Sequence, residues 1–367
     1  MSKQSKKIVY TCLLCVVLVI LGYWYFKGSP FFSEPFVNTE KVTKTNQSTK
    51  IVKQKKIDQL IVAAHFKGTA LVIDQGQVFY EKSYGYADAE TKQENKITTP
   101  FPIASLQKII TGALILQLVN NKQLSLDTTL DQFYPTIETS KQITIKDLLN
   151  HTSGLMLPEE EPDHLLSEQN SQIDYALKEM EVDQGQEYLY SNGNYTILAG
   201  IISMILKQPY EEVVQKQVID KLGLKQTYFW DTLPMKITVP KPYIYAGKDY
   251  QPDAFPSSEK LFSSLLGAGN MYMSTTDFWQ FIQGLTNGEL FKSSKYDELA
   301  EVKTGGYQSG MIYFDSLKYS IGSLGGYNTV IYGDQKNQQL VILFANQIGE
   351  EGIGALAEQV YQRVLTS

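Results

Sequence analysis

Two hydrophobic patterns divide the chain. Near both ends, short apolar or alternating blocks sit between polar turns, as strands require, whereas between them apolar residues recur at helical spacing. Residues 68–74 and 77–84 flank Gln75-Gly76 and predict a β-hairpin. Residues 310–314, 319–323, 328–332 and 339–346 predict four further strands, and 354–365 a closing amphipathic helix. Helical signal covers 57–66, then 105–121, 145–149, 171–181, 194–206, 210–222 and 275–286. The expectation is an α/β (α+β) fold, with an antiparallel sheet drawn from both ends, flanked by helices, and an all-helical lobe over about residues 120–275. The Pro-rich stretch 234–256 predicts a long ordered loop near the cleft.

Upstream the pattern changes. Residues 8–26 are uncharged and mostly apolar; at 1.5 Å per residue they reach roughly 28 Å, close to a bilayer's ~30 Å hydrocarbon core. Lys3, Lys6 and Lys7 precede this run, and Tyr23, Trp24, Tyr25 and Phe26 end it. That arrangement predicts a cytoplasmic tail over 1–7, a single-pass anchor over 8–26 and an extracellular remainder at the cell membrane. The rival, a cleaved signal peptide, lacks a small-x-small site, since Gly28-Ser29-Pro30 runs into Phe31-Phe32. Neither Cys12 nor Cys15 has the small residues before it that lipid attachment needs. Residues 27–56, rich in Ser, Thr, Asn, Gln and Lys, predict a flexible tether spanning roughly 30 Å, which would hold a domain over 57–367 near the membrane.

Composition narrows the chemistry. A net charge of -6, with no basic stripe beyond the N-terminus, argues against a nucleic-acid partner. The two cysteines both lie in the first apolar run, so the folded part has neither disulfide nor thiol chemistry. His65, His151 and His164 have no HExxH-like spacing, which argues against a metal site.

Ser105-Leu106-Gln107-Lys108 puts a hydroxyl and an amine on one face at the start of a helix. A lysine of lowered pKa can take the serine proton, and a helix N-terminus favours a developing oxyanion. Ser257-Ser258-Glu259-Lys260 has the same spacing but follows Pro252 and Pro256, where a loop is expected, so the spacing alone decides nothing. A second element, Tyr190-Ser191-Asn192, is the only Tyr-x-Asn among 24 tyrosines. Its phenol could accept the Ser105 proton and later return one to a leaving group, and the Asn192 amide could hold a substrate carbonyl or amide.

With these motifs, Phe101-Pro-Ile-Ala-Ser, the stretch Thr144-Ile-Lys-Asp-Leu-Leu-Asn-His-Thr-Ser-Gly-Leu155, Lys221-Leu-Gly-Leu-Lys and Gly267-Ala-Gly-Asn-Met-Tyr-Met-Ser-Thr occur in order. Together they make the chain, from about Ile57 onward, resemble the serine β-lactamase and penicillin-binding-protein family, especially its class C and esterase branch. The resemblance implies Ser105 as acylated nucleophile, Lys108 as its activator, Tyr190 with Asn192 as second motif, His151 as structural, and no cofactor.

The family's third motif, a Lys-Thr-Gly or His-x-Gly on the strand beside the nucleophile, has two candidates. Lys303-Thr304-Gly305 matches literally, but four strands are predicted after it, whereas Gly322-Ser323-Leu324-Gly325-Gly326 has the two strands and helix the family pattern requires. The second is favoured, with Ser323 in the basic position and Gly326 as second oxyanion donor by resemblance. Loss of that cation would weaken recognition of a free carboxylate and favours a D-alanyl ester of a cell-envelope polymer such as teichoic acid. D-Ala-D-Ala carboxypeptidase, β-lactamase and a non-catalytic wall-binding role are the alternatives. A glycosidase using Glu159, Glu160, Glu161 or Asp163 is weaker, since that cluster reads as a solvated loop able to attract an ammonium group.

Overall fold

The computed structural model describes residues 45–183, 187–253, 256, 258–292 and 294–366. Seven antiparallel strands form its central sheet: β1 (Lys67–Asp74), β2 (Gln77–Tyr84), β3 (Gly306–Gln308), β4 (Met311–Phe314), β5 (Leu317–Leu324), β6 (Tyr327–Asp334) and β7 (Gln339–Gln347). Their spatial order is β3-β4-β5-β6-β7-β1-β2, so the two ends of the chain meet where β7 pairs with β1. This is the mixed, sheet-from-both-ends architecture that the hydrophobic pattern predicts.

The central strands are buried on both faces. In β1, Leu71 and Ile73 join one core while Ala70 and Val72 join the other; β7 divides likewise, with Ile342 and Phe344 opposite Val341 and Leu343. Period-two alternation is therefore replaced by continuous apolar runs, because both sides of the sheet are covered. One face carries α1 (Thr45–Ala63), through Ile57 and Ile61, and the closing helix α6 (Gly352–Val360), through Leu356 and Val360. The other carries the helical lobe, whose central helices are α2 (Gln107–Asn120), α3 (Gln169–Glu179), α4 (Asn192–Leu206) and α5 (Thr275–Gly284).

Two expectations need correction. Residues 45–56, expected to belong to the flexible tether, are helical and form the first part of α1. Their side chains are mostly polar, so little apolar periodicity marks them; Gln54 secures the helix by donating to the Phe79 carbonyl at 2.8 Å. Nor is the lobe all-helical: Phe101–Pro102, Met271–Met273 and Thr227–Phe229 form a three-stranded sheet, and Leu155–Met156 pairs with Glu181–Val182. The 234–256 stretch contains a short hairpin, Tyr243–Ile244 against Gln251–Pro252. The anchor expected over 8–26 lies outside the described residues; among those described, no helix is long and apolar enough to cross a membrane.

Candidate active site

Ser105 sits where a strand becomes a helix. Phe101–Pro102 pairs with Met271–Met273, the Ile103 N–H donates to the Met271 carbonyl at 2.9 Å, and Ala104 then turns with a left-handed φ of 45°. A 3-10 turn, Ala104–Leu106, runs directly into α2, and its i to i+3 spacing stacks Ser105 under Lys108. Ser105 does not cap the helix with its side chain. Its Oγ instead receives hydrogen bonds from Lys108 Nζ at 3.0 Å and from the Tyr190 hydroxyl at 2.7 Å.

The Lys108 side chain is fully buried, and Nζ has two further acceptors, Asn192 Oδ1 at 2.8 Å and the Ala268 carbonyl at 2.9 Å. Burial pulls its pKa down to about 7, against an opposing pull from the Glu159 carboxylate. An ammonium can donate to all three oxygens. A neutral amine can still serve Asn192 and Ala268 with its two N–H bonds, leaving its lone pair for the Ser105 proton. The Ala268 carbonyl belongs to the Gly267-Ala-Gly-Asn stretch, whose part as an acceptor has no signal in the sequence.

Tyr190 and Asn192 enter from one short segment. Ser191 between them is extended (φ −149°, ψ 131°), so its neighbours project to the same side. Asn192 opens α4, and its Nδ2 donates to Glu159 Oε1 at 3.2 Å. Ser191 points the other way, its Oγ accepting the Leu157 N–H at 2.9 Å. Burial raises the Tyr190 phenol well above its ordinary pKa, so it stays protonated and donates to Ser105.

Strand β5 forms the opposite wall. A β-carbon on Gly322 would lie 3.0 Å from Ser105 N and 2.5 Å from the Ile103 carbonyl, so β5 comes closer to the nucleophile than a side chain permits. Residues on the Gly322 face point at Ser105, whereas Ser323 projects to the other face, where its Oγ donates to its cross-strand partner Asn328 at 3.2 Å. Ser323 still lines the pocket that Ser105 opens into, with its hydroxyl engaged by Asn328. Gly325, at the tip of the β5–β6 turn, lines the pocket, but Gly326 is packed on Pro242 and Tyr243 and does not. Lys303 is exposed in a 3-10 turn before β3, away from the strand beside Ser105.

Ser105 and Asn192 open into a pocket of about 360 Å³. Its acidic lining comprises Glu159, Glu160, Glu161 and Asp253, and among the described residues no lysine, arginine or histidine lines it. Glu161 is partly engaged by Ser258 Oγ at 2.6 Å and by Lys260 at 3.8 Å. Lys260 also donates to the Asp163 carbonyl at 2.9 Å, and Ser257, the other half of the duplicate Ser-x-x-Lys, lies outside the described residues. Among the described residues no cluster of three or more His, Cys, Asp or Glu could hold a metal.

The β-lactamase family profile matches residues 54–364. A putative penicillin-binding protein, PbpX, from Bacillus subtilis is 26% identical over 350 residues, which cover 90% of this chain and 87% of that protein. A teichoic acid D-alanine hydrolase from Staphylococcus aureus is 29% identical over 321 residues, covering 84% and 78%. The crystal structure of FmtA from Staphylococcus aureus superposes with a TM-score of 0.76 at 26% identity, covering 90% of this chain and 93% of that one. With the profile spanning nearly all of the folded part and the Ser105–Lys108–Tyr190 cluster assembled at its cleft, the chain belongs to the β-lactamase family.

Proposed function

We propose that this protein is a serine hydrolase that removes D-alanyl groups from the esters of a cell-envelope polymer, such as (lipo)teichoic acid, through an acyl-Ser105 intermediate. Neutral Lys108 takes the Ser105 proton as Oγ attacks the ester carbonyl. The Ser105 N–H and a backbone N–H of the Ser323–Gly325 stretch receive the oxyanion. The departing alkoxide takes a proton through Tyr190, which is replenished from Lys108. Water then attacks the acyl carbonyl, neutral Lys108 accepts its proton by way of Tyr190, and that proton is returned to Ser105 Oγ as it leaves, freeing D-alanine.

The observation that carries the substrate class is the pocket wall, whose described lining has four carboxylates and no lysine, arginine or histidine. A D-alanyl ester presents an ammonium group and no free carboxylate, so it suits that wall. Peptidyl-D-Ala-D-Ala and penicillins carry a carboxylate, whose charge-assisted hydrogen bond to a cation is worth roughly 1.5–3 kcal/mol, or about one to two decades of affinity. The teichoic acid D-alanine hydrolase relative points the same way. A non-catalytic role is disfavoured by a complete, hydrogen-bonded Ser105–Lys108–Tyr190 set.

Residues 8–26 would hold the enzyme in the cell membrane with its catalytic domain outside, within reach of a membrane-proximal polymer. External protease acting on intact cells would then remove the domain, while leaving a membrane-bound N-terminal fragment. The activity itself is tested by incubating the full-length protein in detergent with D-alanylated lipoteichoic acid and measuring free D-alanine, with Ser105→Ala as control and peptidyl-D-Ala-D-Ala in parallel. Ser105-dependent release from the ester supports the proposal; release from the peptide alone overturns it.

A further inference from the structure

We infer that His151 is a positioning residue that holds the Tyr190 phenol on Ser105. His151 does not reach the nucleophile. It brackets Tyr190 along the chain instead, because its carbonyl accepts the Leu189 N–H at 2.8 Å and its ring Nδ1 accepts the Ser191 N–H at 3.3 Å. The His151 and Tyr190 rings also lie against each other, with centroids 4.3 Å apart. The residues before and after Tyr190, and its ring, are thus tied to one residue, the first through its backbone and the other two through its side chain.

The histidine is itself held. It follows the helix Ile145–Asn150 in a left-handed conformation (φ 59°) and is completely buried. Ser153 Oγ donates to Asn194 Oδ1 at 2.6 Å, which turns the Asn194 NH₂ toward His151 Nδ1 at 3.0 Å. Two N–H donors therefore meet Nδ1, so the ring proton resides on Nε2. A proton on Nδ1 would oppose both donors, and burial beside the Lys108 charge also favours the neutral ring. The ring serves as an uncharged template, and Lys108 remains the group that changes charge.

This inference rests on the reading that Tyr190 moves a proton, and the test separates the two. Full-length protein carrying His151→Leu or His151→Asn, each alone and combined with Tyr190→Phe, is assayed for fluorophosphonate labelling of Ser105 and for D-alanine release. Asparagine tolerates the left-handed backbone and retains an acceptor near the Nδ1 position. We expect His151→Leu to lower the labelling rate and kcat about 100-fold with KM changed by less than about threefold, and His151→Asn to recover at least about tenfold of that loss. In the Tyr190→Phe background, either His151 change should cost less than about threefold, because its route of action is already gone.

Additive losses in that background would overturn the inference, as would a rise in KM in place of a fall in kcat. An undiminished labelling rate in Tyr190→Phe would remove the proton role and the inference with it. If Ser105 labels normally but no D-alanine is released, the substrate proposal fails while the coupling is still read from labelling. Should His151→Leu not fold by circular dichroism, His151→Asn in the two backgrounds decides.

Discussion

The Tyr190 hydroxyl donates to Ser105 Oγ at 2.7 Å, joining residues 85 positions apart in the chain. Since burial keeps that phenol protonated, Tyr190 acts as donor and relay, with Lys108 as the base. Tyr190→Phe should lower kcat by about 10²- to 10⁴-fold, the usual range for losing a positioned proton-transfer group, with little change in thermal stability. D-alanine release and a melting curve check both halves.

Lys108 is the base only when neutral, and its pKa lies at about 7. Acylation should therefore rise with pH through about 7 and level off above it. The Glu159 carboxylate raises the Lys108 pKa, so Glu159→Gln should move that limb to lower pH. Stopped-flow acylation across pH 5–9, as an approximate window around that value, reads the shift. A limb left in place by the substitution would count against Lys108 as the titrating group.

Gly322→Ala should inactivate the enzyme without unfolding it. The added methyl would meet the Ile103 carbonyl at 2.5 Å and Ser105 N at 3.0 Å, both backbone atoms that cannot rotate away. Displacing the nucleophile by a fraction of an ångström is expected to cost about 100-fold or more in acylation rate. Loss of fluorophosphonate labelling with an unchanged far-ultraviolet spectrum is the expected result.

The acidic wall should matter for an ammonium-bearing substrate and much less for a neutral one. Glu160→Gln removes a lining carboxylate without touching the Asn192 contact that Glu159 makes. It should raise KM several-fold, roughly up to tenfold, for a D-alanyl ester at low salt. The N-acetylated ester should show no such rise, and added salt should shrink the difference. Equal effects on both esters would exclude ammonium recognition by this wall.

Much of this architecture was legible locally. β1 and β7 announce themselves because both faces are buried, leaving apolar runs bounded by turn residues, and Gln75-Gly76 marks the hairpin between β1 and β2. The Ser105–Lys108 pair was legible because three residues bring side chains together on any helix or 3-10 turn. Tyr-x-Asn was legible as a pair because an extended residue between two others points them the same way.

Other features depend on partners remote in sequence. Helix α1 begins at Thr45 without a strong apolar stripe, because only part of it is covered by the sheet. The facing of Ser323 is set by the pairing register of β5 with β6, where a shift of one residue exchanges the two faces. Nothing local reveals that the β5 backbone at Gly322 touches residues 103 and 105, or that His151 ties down the segment around Tyr190. Side-chain type and short-range spacing already settle which residues can carry the chemistry and which segments are strands or helices. Tertiary structure alone decided the burial that lowers the Lys108 pKa, the side of the pleat Ser323 occupies and the convergence of Tyr190 on Ser105, because desolvation and strand register arise only when distant segments pack together.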